Sequence, residues 1–408
     1  MSSKAESADG FKRDIGPKTL SLYGIGTVVG AGIYVVIGDI LGRADALAPF
    51  AFLLAAFAAS LSALSYAELA VRVPESGGSA AFVDAGFSRK SLTVVVGYAV
   101  VATGVISAAT IATGFVGYAN VFLDISKWWA IPLLVGILTG IAATGIRQAG
   151  WFMAITTVLG IAGLVWVVGH AGSDMLDYPQ MALAQFEAGS GPVMASAVLP
   201  AAFLAFYAYI GFEDLVTLSE EAEEQASAMP RAIVTTLIVS LLLYVVVSIA
   251  AITVIPAEEL AQSAAPLVDV VRSEGSSGQL LGVVSLAMIV NGALAQIVMA
   301  PRVLHDLHEH HGAVPHWLVR LGHRSATPVN ATLLCGTLVL VLALFFPTVT
   351  LASWTSFVVL GVFAAANGAL VALKLKSNAR RAGFEVPLVV PILGIVVSLG
   401  LIAGEAVI

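Results

Sequence analysis

The chain has 408 residues, of which 59% are hydrophobic and only 11% are charged. Soluble globular proteins carry about 25% charged residues, so this composition excludes a water-soluble protein of this size. The formal net charge of −7 comes without a basic stripe, which excludes a nucleic-acid-binding surface. The composition therefore predicts an all-α polytopic membrane protein whose outer surface faces the lipid bilayer.

Apolar runs recur along the chain, each long enough to cross the roughly 30 Å hydrocarbon core as a helix. About 11 are predicted, at residues 17–42, 47–72, 91–123, 129–147, 150–170, 194–219, 231–255, 278–303, 329–347, 350–375 and 387–407. Residues 1–16 form a cytoplasmic N-terminal tail, and 17–408 form a single transmembrane domain. The first run is too long for a signal-peptide core, so we expect it to be retained.

The positions of Lys and Arg predict the orientation. With the N-terminus in the cytoplasm, all but three of the 19 Lys and Arg residues fall on the inner side; the exceptions are Arg43, Lys127 and Arg272. Cytoplasmic loops carry such an excess of positive charge. We therefore expect a multi-pass plasma-membrane protein with a cytoplasmic N-terminus and an extracellular C-terminus.

The first run contains the glycine-rich segment GIGTVVGAGIY at 24–34. Glycine lacks a Cβ and tolerates unusual backbone angles, so the cluster predicts a helix break at mid-membrane. At that depth the freed backbone groups must meet protein, water or ligand. The alternative interpretation is close helix packing across Gly26 and Gly30, which form a small-xxx-small pair.

The sixth run contains a comparable segment, FYAYIGFED at 206–214. Interrupted helices at matching positions of two halves indicate a transport site. Half-helix N-termini would bind a carboxylate, and freed carbonyls would accept hydrogen bonds from an ammonium, so an α-amino acid fits. We predict a 5+5 inverted repeat with broken helices 1 and 6. Its parts are a first repeat at 17–170, a second repeat at 194–375 and an additional helix at 387–407.

The chain resembles the amino acid–polyamine–organocation (APC) transporter superfamily, whose members have the leucine-transporter-type (LeuT) fold. Five patches carry the resemblance, in the expected order and spacing. They are GTVVGAGIY (26–34), SYAELAVRVPESGGSAAFV (65–83), YAYIGFEDLVTLSEEAEEQASAMPRAI (207–233), APRVLHDLHEHHGAVP (300–315) and TPVNATLL (327–334). The resemblance covers nearly the whole chain.

The resemblance also implies where the substrate binds. Its carboxylate would meet the backbone N–H groups of Gly30, Ala31 and Gly32, and its ammonium would meet the carbonyls of Val28, Tyr207, Ala208 and Ile210. Tyr207 and Tyr209 occupy positions of aromatic gates. Glu213 occupies the position of an acid implicated in proton-dependent gating; the alternative is a residue at the cytoplasmic water boundary. The acidic residues Glu220, Glu221, Glu223 and Glu224 imply ion pairs that hold an inner gate.

The sequence departs from the family pattern in the fifth helix. Many proton-coupled relatives have a lysine there, in the place of a sodium ion, whereas Gly160 takes this position here. Three possibilities therefore remain open. Transport is coupled through Glu213, it is coupled through a cation between helices 1 and 8, or it is not coupled at all. Ser285 and Asn291 of the eighth helix are polar, but such residues more often bridge helices. Twelve helices are common in the family, against eleven predicted here.

These observations predict a secondary active transporter, a symporter or exchanger, that moves amino acids by alternating access. We expect no enzymatic activity, cofactor or metal, and a proton as one candidate coupling ion. A polyamine or organic-amine transporter is the alternative, but it needs acids facing the pocket, and few occur in the first, third, eighth and tenth runs. A non-transporting amino-acid sensor would normally need a longer tail. The histidines at 305–316 suggest metal binding or pH sensing, but a solvated connecting segment is the favoured interpretation.

Overall fold

A computed structural model describes residues 16–74, 77–145, 150–189, 191–219, 222, 225–322, 325–376 and 383–407. The predicted tail up to residue 15 and the four acidic residues of the predicted inner gate, Glu220, Glu221, Glu223 and Glu224, lie outside these ranges. The α-helices are α1 (Pro17–Val28), α2 (Ala31–Ala44), α3 (Ala48–Arg72), α4 (Gly78–Phe87), α5 (Lys90–Ala119), α6 (Lys127–Thr144), α7 (Gly150–Ala171), α8 (Tyr178–Ala188), α9 (Gly191–Phe206), α10 (Gln225–Val254), α11 (Ala257–Gln262), α12 (Pro266–Ser273), α13 (Gln279–His311), α14 (His316–Val319), α15 (Val329–Phe345), α16 (Thr348–Leu375) and α17 (Val389–Val407).

Eight helical stretches of the described chain are long and apolar enough to cross a membrane. The first, Pro17–Arg72, has 56 residues and contains both the first and the second predicted runs. The predicted ninth and eleventh runs form shorter apolar helices, Val329–Phe345 and Val389–Glu405. The all-helical membrane architecture is therefore confirmed, while the number of crossings and the repeat boundaries stay predictions.

Helices 1 and 6 are both interrupted, as the glycine clusters predict. The chain leaves α1 at Val29 and re-enters a helix after Gly30, whose ψ of −139° is not helical. After α9 the chain forms one 3-10 turn at Tyr207–Tyr209, and Ile210 is extended. Gly211 then has φ of +125°, a conformation that favours glycine, and a second 3-10 helix follows at Phe212–Leu218.

The broken helices lie at the centre of the bundle. Helix α2 packs against α9, and α1 packs against α7 and α10. Helices at equivalent places in the two predicted repeats also contact each other, α3 with α10 and α5 with α13. Large apolar side chains on outer helices remain exposed, such as Leu133 at 60% and Val158 at 56%. In a membrane protein these side chains face lipid.

Three segments that lie between the predicted membrane runs contain helix. The 74–88 segment includes α4, and the 256–275 segment forms α11 and α12. Helix α13 extends to His311, so most of the histidine cluster lies in its last turns rather than in a connector. The Nδ1 atom of His308 lies 2.6 Å from the Val314 carbonyl oxygen, which links the helix end to the segment that follows.

A buried charge cluster joins α3, α16 and the segment before α17. Glu68 is fully buried; its Oε1 accepts hydrogen bonds from Arg72 Nε and Lys374 Nζ, each at 2.7 Å. Its Oε2 accepts the Val386 N–H at 2.7 Å, and Lys374 also donates to the Val386 carbonyl at 2.7 Å. Glu385 forms a longer ion pair with Arg72, at 3.3 Å. Every polar group of the fully buried carboxylate is therefore engaged, as burial of a charge requires.

Candidate substrate-binding site at the two broken helices

The start of α2 offers an anion-binding site in the middle of the bundle. Its N-cap residue, Gly30, provides no side-chain cap, and the first N–H groups of a helix have no partner within it. These groups and the helix dipole favour a negatively charged ligand, and the sequence predicts the substrate carboxylate at this place. A Cβ added to Gly32 would lie 3.0 Å from the Ala208 Cα, so glycine permits the close approach of the second break.

The carbonyls predicted to receive the ammonium have different partners. The Tyr244 hydroxyl lies 2.7 Å from the Val28 carbonyl oxygen and 2.8 Å from that of Ala208. The Tyr207 carbonyl accepts the Ile210 N–H at 3.2 Å. A carbonyl oxygen has two lone pairs, so each of these groups can accept a further hydrogen bond from a ligand.

Tyr244 is a site residue that the sequence does not reveal. It lies in the apolar run SLLLYVVVSI of α10, where nothing distinguishes it from a packing residue. In the structure it is fully buried, and its ring packs against Tyr209 at 5.1 Å and Phe52 at 5.7 Å between centroids. Its hydroxyl connects the first break to the second.

We predict that Tyr244→Phe weakens amino-acid binding about tenfold. The substitution keeps the ring but removes the one O–H donor that two buried carbonyls share, and an unsatisfied buried acceptor costs about 1–3 kcal/mol. Equilibrium binding of a labelled substrate to purified protein measures the change. Tyr178→Phe is the matched control, because the Tyr178 hydroxyl bonds the Ala46 carbonyl away from both breaks. Equal affinity of Tyr244→Phe and the wild type would contradict the assignment.

A second contact between the breaks involves Thr27. Its hydroxyl lies 2.8 Å from the Gly24 carbonyl oxygen and 3.0 Å from the Gly211 carbonyl oxygen. On the other side of Gly211, the Glu213 Oε2 accepts the Gly211 N–H at 2.9 Å. The carboxylate predicted to couple transport to protons therefore caps the second break directly, and its role in coupling stays a prediction.

The two breaks border one cavity. Its lining residues come from α1, α2, α5, α7, both 3-10 segments of helix 6, and α13. They are Gly26, Thr27, Val28, Ala31, Gly32, Ser107, Ile111, Met153, Tyr207, Ile210, Asp214, Asn291, Gly292, Ala295 and Gln296. The cavity has a volume of about 40 Å³, which is enough for a few water molecules. An amino acid requires the walls to move apart.

The structure brings most of the predicted site residues to this cavity. Val28, Ala31, Gly32, Tyr207 and Ile210 line it. The other predicted residues, Gly30, Ala208, Tyr209 and Glu213, are not among its lining residues. Tyr209 is fully buried and donates to the Phe52 carbonyl at 3.1 Å, so its predicted role as a gate requires it to leave this contact.

Gly160, which the resemblance aligns with a lysine position, is closely surrounded by the side chains of Tyr34 and Met288. The Gly160 carbonyl accepts the Tyr34 hydroxyl at 2.8 Å. A Cβ at Gly160 would lie 2.6 Å from the Met288 sulfur, so a longer side chain requires Met288 to move. Ser285 donates to the Leu281 carbonyl of its own helix, whereas Asn291 lines the cavity.

The interrupted helices, the central cavity and the lipid-facing exterior define a polytopic transporter of the LeuT type. The family model described as amino acid permease matches residues 15–405, and the chain therefore belongs to this family of the APC superfamily. A solved structure of a Na+-coupled sialic acid symporter in a substrate-bound outward-open state has the same fold. Its TM-score is 0.66, at 10% identity, over 99% of this chain and 92% of that one.

Relatives with named activities are transporters, not enzymes. A mitochondrial cationic amino acid transporter of Arabidopsis thaliana is 26% identical over 357 residues, which are 82% of this chain. The match spans only 58% of that relative's length. A branched-chain amino acid permease of Bacillus subtilis is 26% identical over 401 residues, covering 92% of this chain and 84% of the permease.

Proposed function

We propose that this protein is a secondary active transporter that carries amino acids across the plasma membrane by alternating access. One observation carries the proposal: the start of α2, which has no side-chain cap, and residues of both breaks line a single cavity. That arrangement complements a carboxylate and an ammonium on one carbon atom. Both named relatives carry amino acids according to their names, although the two names differ in substrate.

Movement of the α11–α12 segment would provide access from the predicted outer side. A Cβ at Gly38 of α2 would lie 2.4 Å from the Leu260 carbonyl oxygen, so α11 lies directly against the outer half of helix 1. The segment must separate from α2 before a solute can enter from that side. The same transporter would then expose the cavity to the cytoplasm as this contact re-forms.

Uptake by purified protein in proteoliposomes tests the proposal. We expect accumulation of at least one labelled α-amino acid, and the dependence on imposed proton and sodium gradients distinguishes coupled transport from exchange. Liposomes with amino acids trapped inside provide the exchange condition. Uptake of a diamine but of no amino acid would replace the proposal with the organic-amine alternative. Binding without uptake under every gradient and under exchange would support a sensor.

A further inference from the structure

Asp214 is an acidic residue that lines the central cavity. It lies in the 3-10 helix Phe212–Leu218 and lines the cavity, and its side chain forms no hydrogen bond or ion pair with the described part of the chain. The adjacent Glu213, by contrast, is bound to the Gly211 N–H. Acids at membrane depth normally pair with a cation or line a substrate path, so Asp214 lacks a partner that a ligand can provide.

Gln296 contributes a second unused acceptor to the same cavity. It comes from α13, on a different helix from Asp214, and its Oε1 atom is buried without a hydrogen-bond partner in the described residues. Half a turn of the carboxamide exchanges Oε1 and Nε2, so the oxygen can face a ligand without a change of shape. The cavity lining includes no Lys or Arg. Asp214 is the only residue with a carboxyl side chain among those that line it.

We propose that Asp214 and Gln296 form a subsite for a positively charged side chain of the substrate. This inference rests on the proposed function, and it adds the substrate class: amino acids with a cationic side chain. The substrate carboxylate would lie at the start of α2, its α-ammonium at the freed carbonyls, and its terminal cation at Asp214. A cationic side chain would gain a charge-assisted hydrogen bond to the Asp214 carboxylate, and a neutral side chain would forgo it.

Arginine and citrulline separate charge from shape, because citrulline has nearly the outline of arginine without its positive charge. We expect the wild type in proteoliposomes to prefer arginine over citrulline at least tenfold, measured by competition for uptake. Asp214→Asn is expected to lower that ratio at least tenfold. The control, Asp39→Asn, removes an acid of α2 that does not line the cavity and is expected to leave the ratio unchanged.

Other outcomes would overturn the subsite. A coupling cation could also pair with Asp214; in that case Asp214→Asn would lose its dependence on a proton or sodium gradient while its arginine-to-citrulline ratio stays that of the wild type. An unchanged ratio and an unchanged gradient dependence would exclude both roles. Gln296→Leu provides a second test if Asp214→Asn is not recovered as a monodisperse protein, and an unchanged ratio in that variant would overturn the proposal. A wild type that takes up no amino acid would overturn the proposed function itself.

Discussion

Replacing Gly32 with valine is expected to abolish amino-acid binding while the protein still inserts into the membrane. The added Cβ would lie 3.0 Å from the Ala208 Cα, a backbone atom that cannot rotate away. The two breaks must therefore separate, which displaces both the N–H groups of α2 and the carbonyls of helix 6. Overpacking costs about 1–3 kcal/mol, so together with the distorted site the affinity should fall roughly a hundredfold or more.

Equilibrium binding of a labelled amino acid to purified Gly32→Val measures this effect. Gly136→Val is the matched control, since Gly136 also lies in a membrane helix and no atom lies within 4 Å of an added Cβ. Both variants should elute from size-exclusion chromatography as the wild type does. Wild-type affinity in Gly32→Val would remove the start of α2 from the site.

Replacing Glu68 with alanine should destabilise the folded protein by about 3–5 kcal/mol, the usual cost of removing one partner from a buried ion pair. The change leaves the Arg72 and Lys374 charges without the carboxylate that neutralises them, and it frees the Val386 N–H. We expect the segment before α17 to detach from α3 and α16 first, because the contacts of Glu68 hold this segment against the two helices.

Denaturant unfolding in detergent micelles measures the difference in free energy. Glu385→Ala removes a glutamate from the edge of the same cluster, where the side chain is 41% exposed and its distance to Arg72 is 3.3 Å. Exposed pairs contribute about 0–1 kcal/mol, so this variant should remain close to the wild type. Equal losses in the two variants would show that Glu68 is not the centre of the cluster.

The sequence predicted the features that depend on local chemistry. Apolar runs predicted membrane helices because lipid permits few other structures. The glycine cluster at 24–34 and the segment around Gly211 predicted both breaks, and the φ of +125° at Gly211 is one that favours glycine. The resemblance predicted five of the residues that line the cavity. Boundaries at helix ends were less accurate, most clearly for α13, whose polar last turns continue to His311.

Features that depend on distant residues were not predicted. Glu68 meets Lys374 and Val386 only after α3 and α16 have packed, and no periodicity in the sequence connects them. In the sequence, Tyr244 is likewise only an aromatic residue in an apolar run. Its contact with two carbonyl oxygens arises only in the folded protein. Of two adjacent acids, the resemblance pointed to Glu213, whose role stays a prediction, and the structure adds Asp214 as a residue that lines the cavity. Such choices depend on side-chain direction, which spacing alone does not determine.

The hydroxyls of Tyr244 and Thr27 have a consequence for motion. The Tyr244 hydroxyl of α10 lies between a carbonyl of helix 1 and a carbonyl of helix 6, and the Thr27 hydroxyl of helix 1 lies 3.0 Å from the Gly211 carbonyl oxygen of helix 6, so two polar contacts link the midpoints of these helices. With sliding prevented at the centre, rotation remains the motion of lowest cost for the half-helices. We expect α2 and α9 to rotate together, and α1 to rotate with the 3-10 helix at 212–218, about a common pivot beside the central cavity.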